Sequence, residues 1–293
     1  MNRVIKTLTQ FRRERPPAAV RTGRSSTRPR FGTGFRSLLS LGLAPLGSTA
    51  ARYHRQLANT GRLEHGLIII LPGIEGCSSI NDSIARGLVE GQLRHAIRII
   101  DWRSFWIWTP LHLIRERHNR CRSRAVAEIV MDYQHHFPGR PVHLIGHSAG
   151  AGIALFVLEA LTPEHRVVTA VLMAAAVSTT FDVLRLLNRT ERGIWNLYSP
   201  LDLPTTGLGT IIFGTMDRRH AISAGSLGFR LVSRNTGSAT QLSGADAQLR
   251  TEPQLHQVRF RPSMMKSWNF GGHFGTTNAA FVQDHVAPIC HGF

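Results

Sequence analysis

From residue 66 onward, apolar and polar positions fall into short blocks of two kinds. Leu67-Ile68-Ile69-Ile70-Leu71 is continuously apolar and rich in β-branched residues, the pattern of a strand buried on both faces. Residues 79–93 open on Ser79 and space Ile80, Ile84 and Leu88 by four, which predicts an amphipathic helix with a serine at its start. A second strand follows at 96–101. Residues 122–137 put Val126, Ile129, Val130 and Tyr133 on one helical face, and Pro138-Gly139 ends that helix. The same reasoning gives a strand at 142–146, a small-residue helix at 149–161 and a strand at 167–175. Val183, Leu184 and Leu187 mark another helix, 194–198 a fifth strand, 258–268 a further apolar stretch, and 279–286 a final helical segment. Strand and helix alternate four times without a break. That pattern predicts an α/β fold with a mostly parallel central sheet and helices on both faces. Ligands of such sheets bind beyond the carboxyl ends of the strands, so functional residues are sought just after each strand.

After the third strand the chain reads Gly146-His147-Ser148-Ala149-Gly150. This matches G-x-S-x-G between a strand and a helix, where the glycines permit a sharp turn that lifts the serine hydroxyl above the sheet. A serine is a weak nucleophile without a base, and the oxyanion it creates needs donors already in place. The Ala149 N–H at the helix start is one candidate donor. The loop after the first strand, Pro72-Gly73-Ile74-Glu75-Gly76, supplies the other, with Ile74 N–H first and Gly73 N–H as the alternative.

On the 71–76 loop, the 146–150 turn and the order of elements, residues 65–290 resemble the α/β-hydrolase superfamily, in particular its bacterial esterase- and lipase-like members. The resemblance implies a Ser, Asp/Glu, His order along the chain. Asp202, just past the strand 194–198, lies where the family keeps its acid. Asp217, in Gly214-Thr215-Met216-Asp217 after an apolar run at 211–213, is the rival. His273, in Gly271-Gly272-His273-Phe274-Gly275, sits in a glycine-flanked loop after the 258–268 stretch and is the implied base. The expected chemistry is cleavage of a small-molecule or lipid ester through an acyl-enzyme on Ser148, with no cofactor. An acyltransferase using the same residues and a catalytically silent binding protein are the alternatives. His147 is expected to pack against neighbouring loops. Trp102, Phe105, Trp106 and Trp108 are expected either to pack or to line an acyl pocket, and residues 218–256 to cover the site, since 177–194 is too short for a bulky lid.

Composition changes the picture only at the amino end. The net charge is +17, and residues 1–60 hold 12 Lys and Arg against the single acid Glu14, so this leader carries +11 of the total. It has no recognisable nucleic-acid-binding module, so no nucleic-acid partner is expected. We expect residues 1–60 to be a basic leader, disordered over 1–35, and 61–293 to be one hydrolase domain. The apolar stretch within 37–50 has the length of a secretion signal and ends in Ser48-Thr49-Ala50. Its weak hydrophobicity and the long basic region before it leave a cytoplasmic chain with a loose tail as the other option. No apolar run reaches the ~20 residues of a membrane span. Cys77, Cys121 and Cys290 fit no zinc spacing, and the pair His135-His136 lacks a third ligand.

Overall fold

Helices α1 Arg30–Gly42 and α2 Ala51–Leu57 and the short helical turn Thr60–Leu63 precede a sheet of six strands: β1 Leu67–Leu71, β2 Ala96–Ile99, β3 Val142–His147, β4 Val167–Met173, β5 Thr190–Tyr198 and β6 Gln254–Arg259. The order is β2-β1-β3-β4-β5-β6, and every neighbouring pair runs parallel. Parallel neighbours require crossover connections. Helices α3 Ser79–Glu90, α4 Glu116–His136 and α5 Ala149–Ala160, with the 3₁₀ helix Leu184–Arg189, lie between successive strands up to β5. A helical run of α, π and α turns, Ala279–Phe281, Val282–Val286 and Ala287–His291, ends the described chain. This computed structural model describes residues 30–42, 51–103, 116–204, 210–211, 214–230 and 254–291.

The unbroken apolar runs exist because both faces of the sheet are covered. Leu67, Ile69, Leu71 and Leu144 pack with Val126, Val130, Tyr133 and Ile153 of α4 and α5. Ile68, Ile70 and Ile145 point the other way, against Ile84 and Leu88 of α3 and Phe281, Val282 and Val286 of the terminal run. Each such aliphatic side chain, fully withdrawn from water, contributes about 1.5–3 kcal/mol before the entropy of ordering is subtracted. The helices thereby fix the ends of β1, β3 and β5, after which Ile74, Ser148 and Asp202 stand.

Several boundaries differ from the sequence expectation, for physical reasons. The fourth strand, expected to run to 175, ends at Met173, where Ala174 takes φ +51°. Strand β5 begins at Thr190 rather than 194, because Glu191 and Arg192 at its amino end are exposed and hide the apolar signal. Helix α4 starts at Glu116, six residues early, over a polar turn with an Arg120–Glu116 ion pair of 2.7 Å. Strand β6 covers 254–259, ahead of most of the apolar stretch, and its residues are exposed or half-buried because, among the described strands, only β5 pairs with it. Residues 214–217 form a turn rather than the end of a strand, with Arg218 N–H donating to Thr215 O at 2.8 Å.

The amino-terminal segment also departs from expectation. Helix α1 lies against α3 and the start of the terminal run, with Ser37 buried. The Ser37 hydroxyl donates to Ser83 Oγ at 3.2 Å and accepts the Ala279 N–H at 3.0 Å, and Asn278 Nδ2 donates to Gly34 O at 3.0 Å. Residues 30–42, expected to be disordered up to 35 and signal-like from 37, are therefore a docked helix. The expected disorder of residues 1–29, residues 43–50, and Phe105, Trp106 and Trp108 fall outside the described residues, as do 231–253 of the proposed cover. Among the described residues no helix is long and apolar enough to cross a membrane.

Candidate active site

At the carboxyl end of β3 the chain turns through Ser148, at φ +53° and ψ −119°, directly into α5. Non-glycine residues rarely occupy positive φ, at a cost of order 1–3 kcal/mol, and they persist only where surrounding contacts over-determine them. Here Ser148 N–H donates to Met173 O at 2.8 Å, and Ser148 O accepts the Ala176 N–H at 3.1 Å, tying the turn to the end of β4. The flanking glycines are steric requirements. A Cβ on Gly146 would meet Ala151 Cα at 2.5 Å, and one on Gly150 would run into the carbonyl oxygens of Leu71 and Pro72. The Ala149 N–H, first in α5, donates to nothing among the described residues.

The 72–76 loop beside this turn is pinned by several hydrogen bonds, one of them from Asn81 Nδ2 to Gly76 O at 2.9 Å. Trp102 Nε1 donates to Pro72 O at 2.7 Å, Arg103 to Ile74 O at 3.1 Å, and Gly76 N–H to Gly73 O at 3.1 Å. The Gly73 N–H is taken by Glu75 Oε1 at 3.1 Å. Of the two candidate loop donors, Gly73 is thus occupied, while Ile74 N–H has no partner among the described residues. Trp102, 1% exposed, is a core residue that positions this loop.

Asp202 closes the 3₁₀ turn Pro200–Asp202 after β5, a turn capped by Ser199, whose hydroxyl accepts the Leu201 N–H at 3.2 Å. Its carboxylate is almost fully buried and meets His273 Nδ1 at 3.1 and 3.0 Å. Asp217 is used elsewhere. It accepts from the Ser178 N–H at 2.9 Å and the Ser178 hydroxyl at 2.5 Å, with Arg219 at 3.8 Å. The structure brings Asp202 and His273 together from positions 71 residues apart and leaves Asp217 as a turn anchor.

His147 links the loops, in keeping with the packing role expected of it. Its Nδ1 lies 3.4 Å from Glu75 Oε1, its Nε2 lies 3.3 Å from the His273 carbonyl oxygen, and its ring is 4.9 Å from that of His273. His273 therefore stands beside the serine turn. Burial pushes the Glu75 carboxyl up, but the hydrogen bond and charge of His147 outweigh it and hold the group below its ordinary range. Burial, with Asp101 adding to it, pushes the neighbouring Cys77 thiol up to about 12, so no second nucleophile arises there.

An apolar groove of about 200 Å³ runs from His273 between α1 and the 268–275 loop, lined by Leu38, Leu41, Trp268, Phe270 and Phe274. These residues and Glu75 were not singled out from sequence. The i, i+3 spacing of Leu38 and Leu41 was the available sign, masked because the stretch also fits a signal segment. Among the described residues no three His, Cys, Asp or Glu side chains come together to hold a metal ion.

The family model described as alpha/beta hydrolase fold matches residues 66–198, from β1 to the end of β5. Among solved structures the chain is similar to esterase PE8, at 14% identity over 75% of this chain and 92% of that one, with a TM-score of 0.39. It is also similar to a Trichoderma reesei cutinase in complex with a phosphonate inhibitor, at 12% identity over 51% and 69%, TM-score 0.33. A third is carboxylesterase CesB from Bacillus subtilis, at 16% identity over 89% and 100%, TM-score 0.34. No curated protein matches.

Proposed function

Because the chain belongs to the α/β-hydrolase superfamily, we propose that it is a serine hydrolase cleaving carboxylic esters or related acyl bonds. The observation that carries this is Ser148 held at φ +53° on a strand-to-helix turn, strain that a purely structural turn would shed by placing glycine there. In the proposed reaction His273 Nε2 removes the Ser148 proton as Oγ attacks the acyl carbon. Asp202 accepts the Nδ1–H, fixing the tautomer and stabilising the imidazolium. The tetrahedral oxyanion accepts from the Ile74 and Ala149 N–H groups. Its collapse breaks the acyl–oxygen bond, with His273 returning the proton to the leaving alcohol. Water, activated by the same histidine, then adds to the acyl-enzyme and releases the acid and free Ser148. The groove of Leu38, Leu41, Trp268, Phe270 and Phe274 suits an apolar acyl or alkyl chain. The test is labelling with a fluorophosphonate, which reacts with an activated serine. The wild-type chain should label and Ser148→Ala should not; a folded wild type that stays unlabelled at millimolar probe would sink the proposal.

A further inference from the structure

The amino ends of the strands, opposite Ser148, border a second, open cavity of about 590 Å³. Arg140, Arg166 and Arg192 stand around it, and none of the three guanidinium groups makes a hydrogen bond or ion pair among the described residues. Glu164 and Glu191 share the rim, so the fixed charge is +1 with the imidazoles neutral. Inside lie His95 and His143, edge-on with ring centres 5.2 Å apart. His143 is fully buried. Its Nδ1 bonds Thr169 Oγ1 at 2.8 Å, yet among the described residues its Nε2 has no partner, nor has either nitrogen of His95. A buried polar atom without a partner is costly, and three such atoms belong to two residues beside one cavity. Burial pushes His143 down to about 3 and His95 to about 4. The charged and titratable groups facing them reinforce this: Arg192 and His291 for His143, and His291, Arg62 and His65 for His95.

We propose that this cavity binds the dianionic phosphate group of a small organic phosphate ester, at a site separate from Ser148. Guanidinium groups hold such oxygens by paired N–H donors. The Thr169 hydroxyl meets both His143 Nδ1, at 2.8 Å, and the Cys290 thiol, which ties the wall of the cavity to the terminal helical run. The volume falls in the range of small-molecule pockets, roughly 300–1,000 Å³, of which a bare phosphate would fill a fraction. A dianion turns the local charge from +1 to −1, which raises the proton affinity of the two imidazoles and draws a proton onto one of them.

Calorimetric titration of the full-length chain with glycerol 3-phosphate, at ionic strength matched with chloride, tests this. Saturable binding of one molecule is expected, with net proton uptake shown by comparing buffers of different ionisation heat. Inorganic phosphate should bind at least tenfold more weakly, and the exposed substitution Arg192→Ala should cost at least tenfold while circular dichroism stays unchanged. In the wild type labelled with ¹⁵N-histidine, the His143 Nε2 resonance should move with occupancy. Binding that is unsaturable, indifferent to Arg192→Ala and without effect on His143 would mean an adventitious ion only. Equal affinity for inorganic phosphate would overturn the ester assignment.

Discussion

The two ends of the sheet treat the same side chain in opposite ways. At the carboxyl end the imidazoles are held: His273 by both oxygens of Asp202, and His147 between Glu75 and the His273 carbonyl. At the amino end His143 uses one nitrogen and His95 neither. Proton transfer to a substrate demands a ring fixed in tautomer and angle, so the partners come from the protein itself. Rings lining a cavity without partners are suited to bonding something from outside the chain. The contrast teaches that a histidine's function follows from who occupies its second nitrogen rather than from its presence in a pocket.

The sharpest way to break the comparison is at Ser148. Replacing it by glycine should abolish fluorophosphonate labelling and cut ester hydrolysis by about 10,000-fold or more. The same change should raise stability by about 1 kcal/mol, because glycine accepts positive φ without strain. Chemical denaturation set beside a p-nitrophenyl ester assay reads both effects. A Ser148→Gly chain that keeps its activity would end the nucleophile assignment, and one that loses stability would show that the turn is not strained.

The two aspartates come next. Asp202→Asn leaves an acceptor and adds an NH₂ donor opposite His273 Nδ1, so the ring is held in the wrong tautomer and kcat should fall by about 10,000-fold. Asp217→Asn touches only Ser178 and Arg219, and should cost about 1–2 kcal/mol of stability through the loss of a charged hydrogen bond, with kcat little changed. Steady-state kinetics on both variants, alongside urea midpoints, separates them; matched losses of kcat would contradict the observed pairing.

At the amino end the effect is on stability and depends on pH. The His143 ring, fully buried, is pushed from 6.5 down to about 3. A depressed pKa on a base means that below pH 6.5 the unfolded chain binds a proton that the native chain refuses, so stability is lost as pH falls toward 3 and is fully present above 6.5. At pH 5 this single ring accounts for a loss of about 2 kcal/mol. Denaturant unfolding at pH 7 and pH 5 in phosphate-free buffer should show that fall, and His143→Leu should shrink the difference by a comparable amount.

How much of this was legible in the sequence depended on whether a signal was local. The strands β1 and β3 and the Gly146 to Gly150 turn could be read because burial on both faces and a forced backbone leave marks within five residues. The Asp202–His273 pair was reachable only through chain order, since nothing local ties residues 71 positions apart. The groove was not legible, because its walls come from α1 and the 268–275 loop, and the apolar residues of α1 carry the same pattern as a signal segment. Glu75 was passed over because its partner, His147, is brought to it only by the pairing of β1 with β3.

That residue supplies the smallest and most diagnostic effect. Glu75 accepts the Gly73 N–H and faces His147, so it couples the loop carrying Ile74 to the serine turn. Glu75→Gln keeps an acceptor for Gly73 but removes the charge, whereas Glu75→Ala removes both. The glutamine variant should lower kcat about three- to tenfold, the equivalent of roughly 1 kcal/mol, and alanine more. If Glu75 acts through His147, then His147→Phe should show a similar loss and the double variant Glu75→Gln/His147→Phe scarcely more than either alone. Fully additive losses would mean that the carboxylate supports the loop by itself. The carboxyl end of the sheet would then hold its imidazoles in two independent pairs rather than in one connected set.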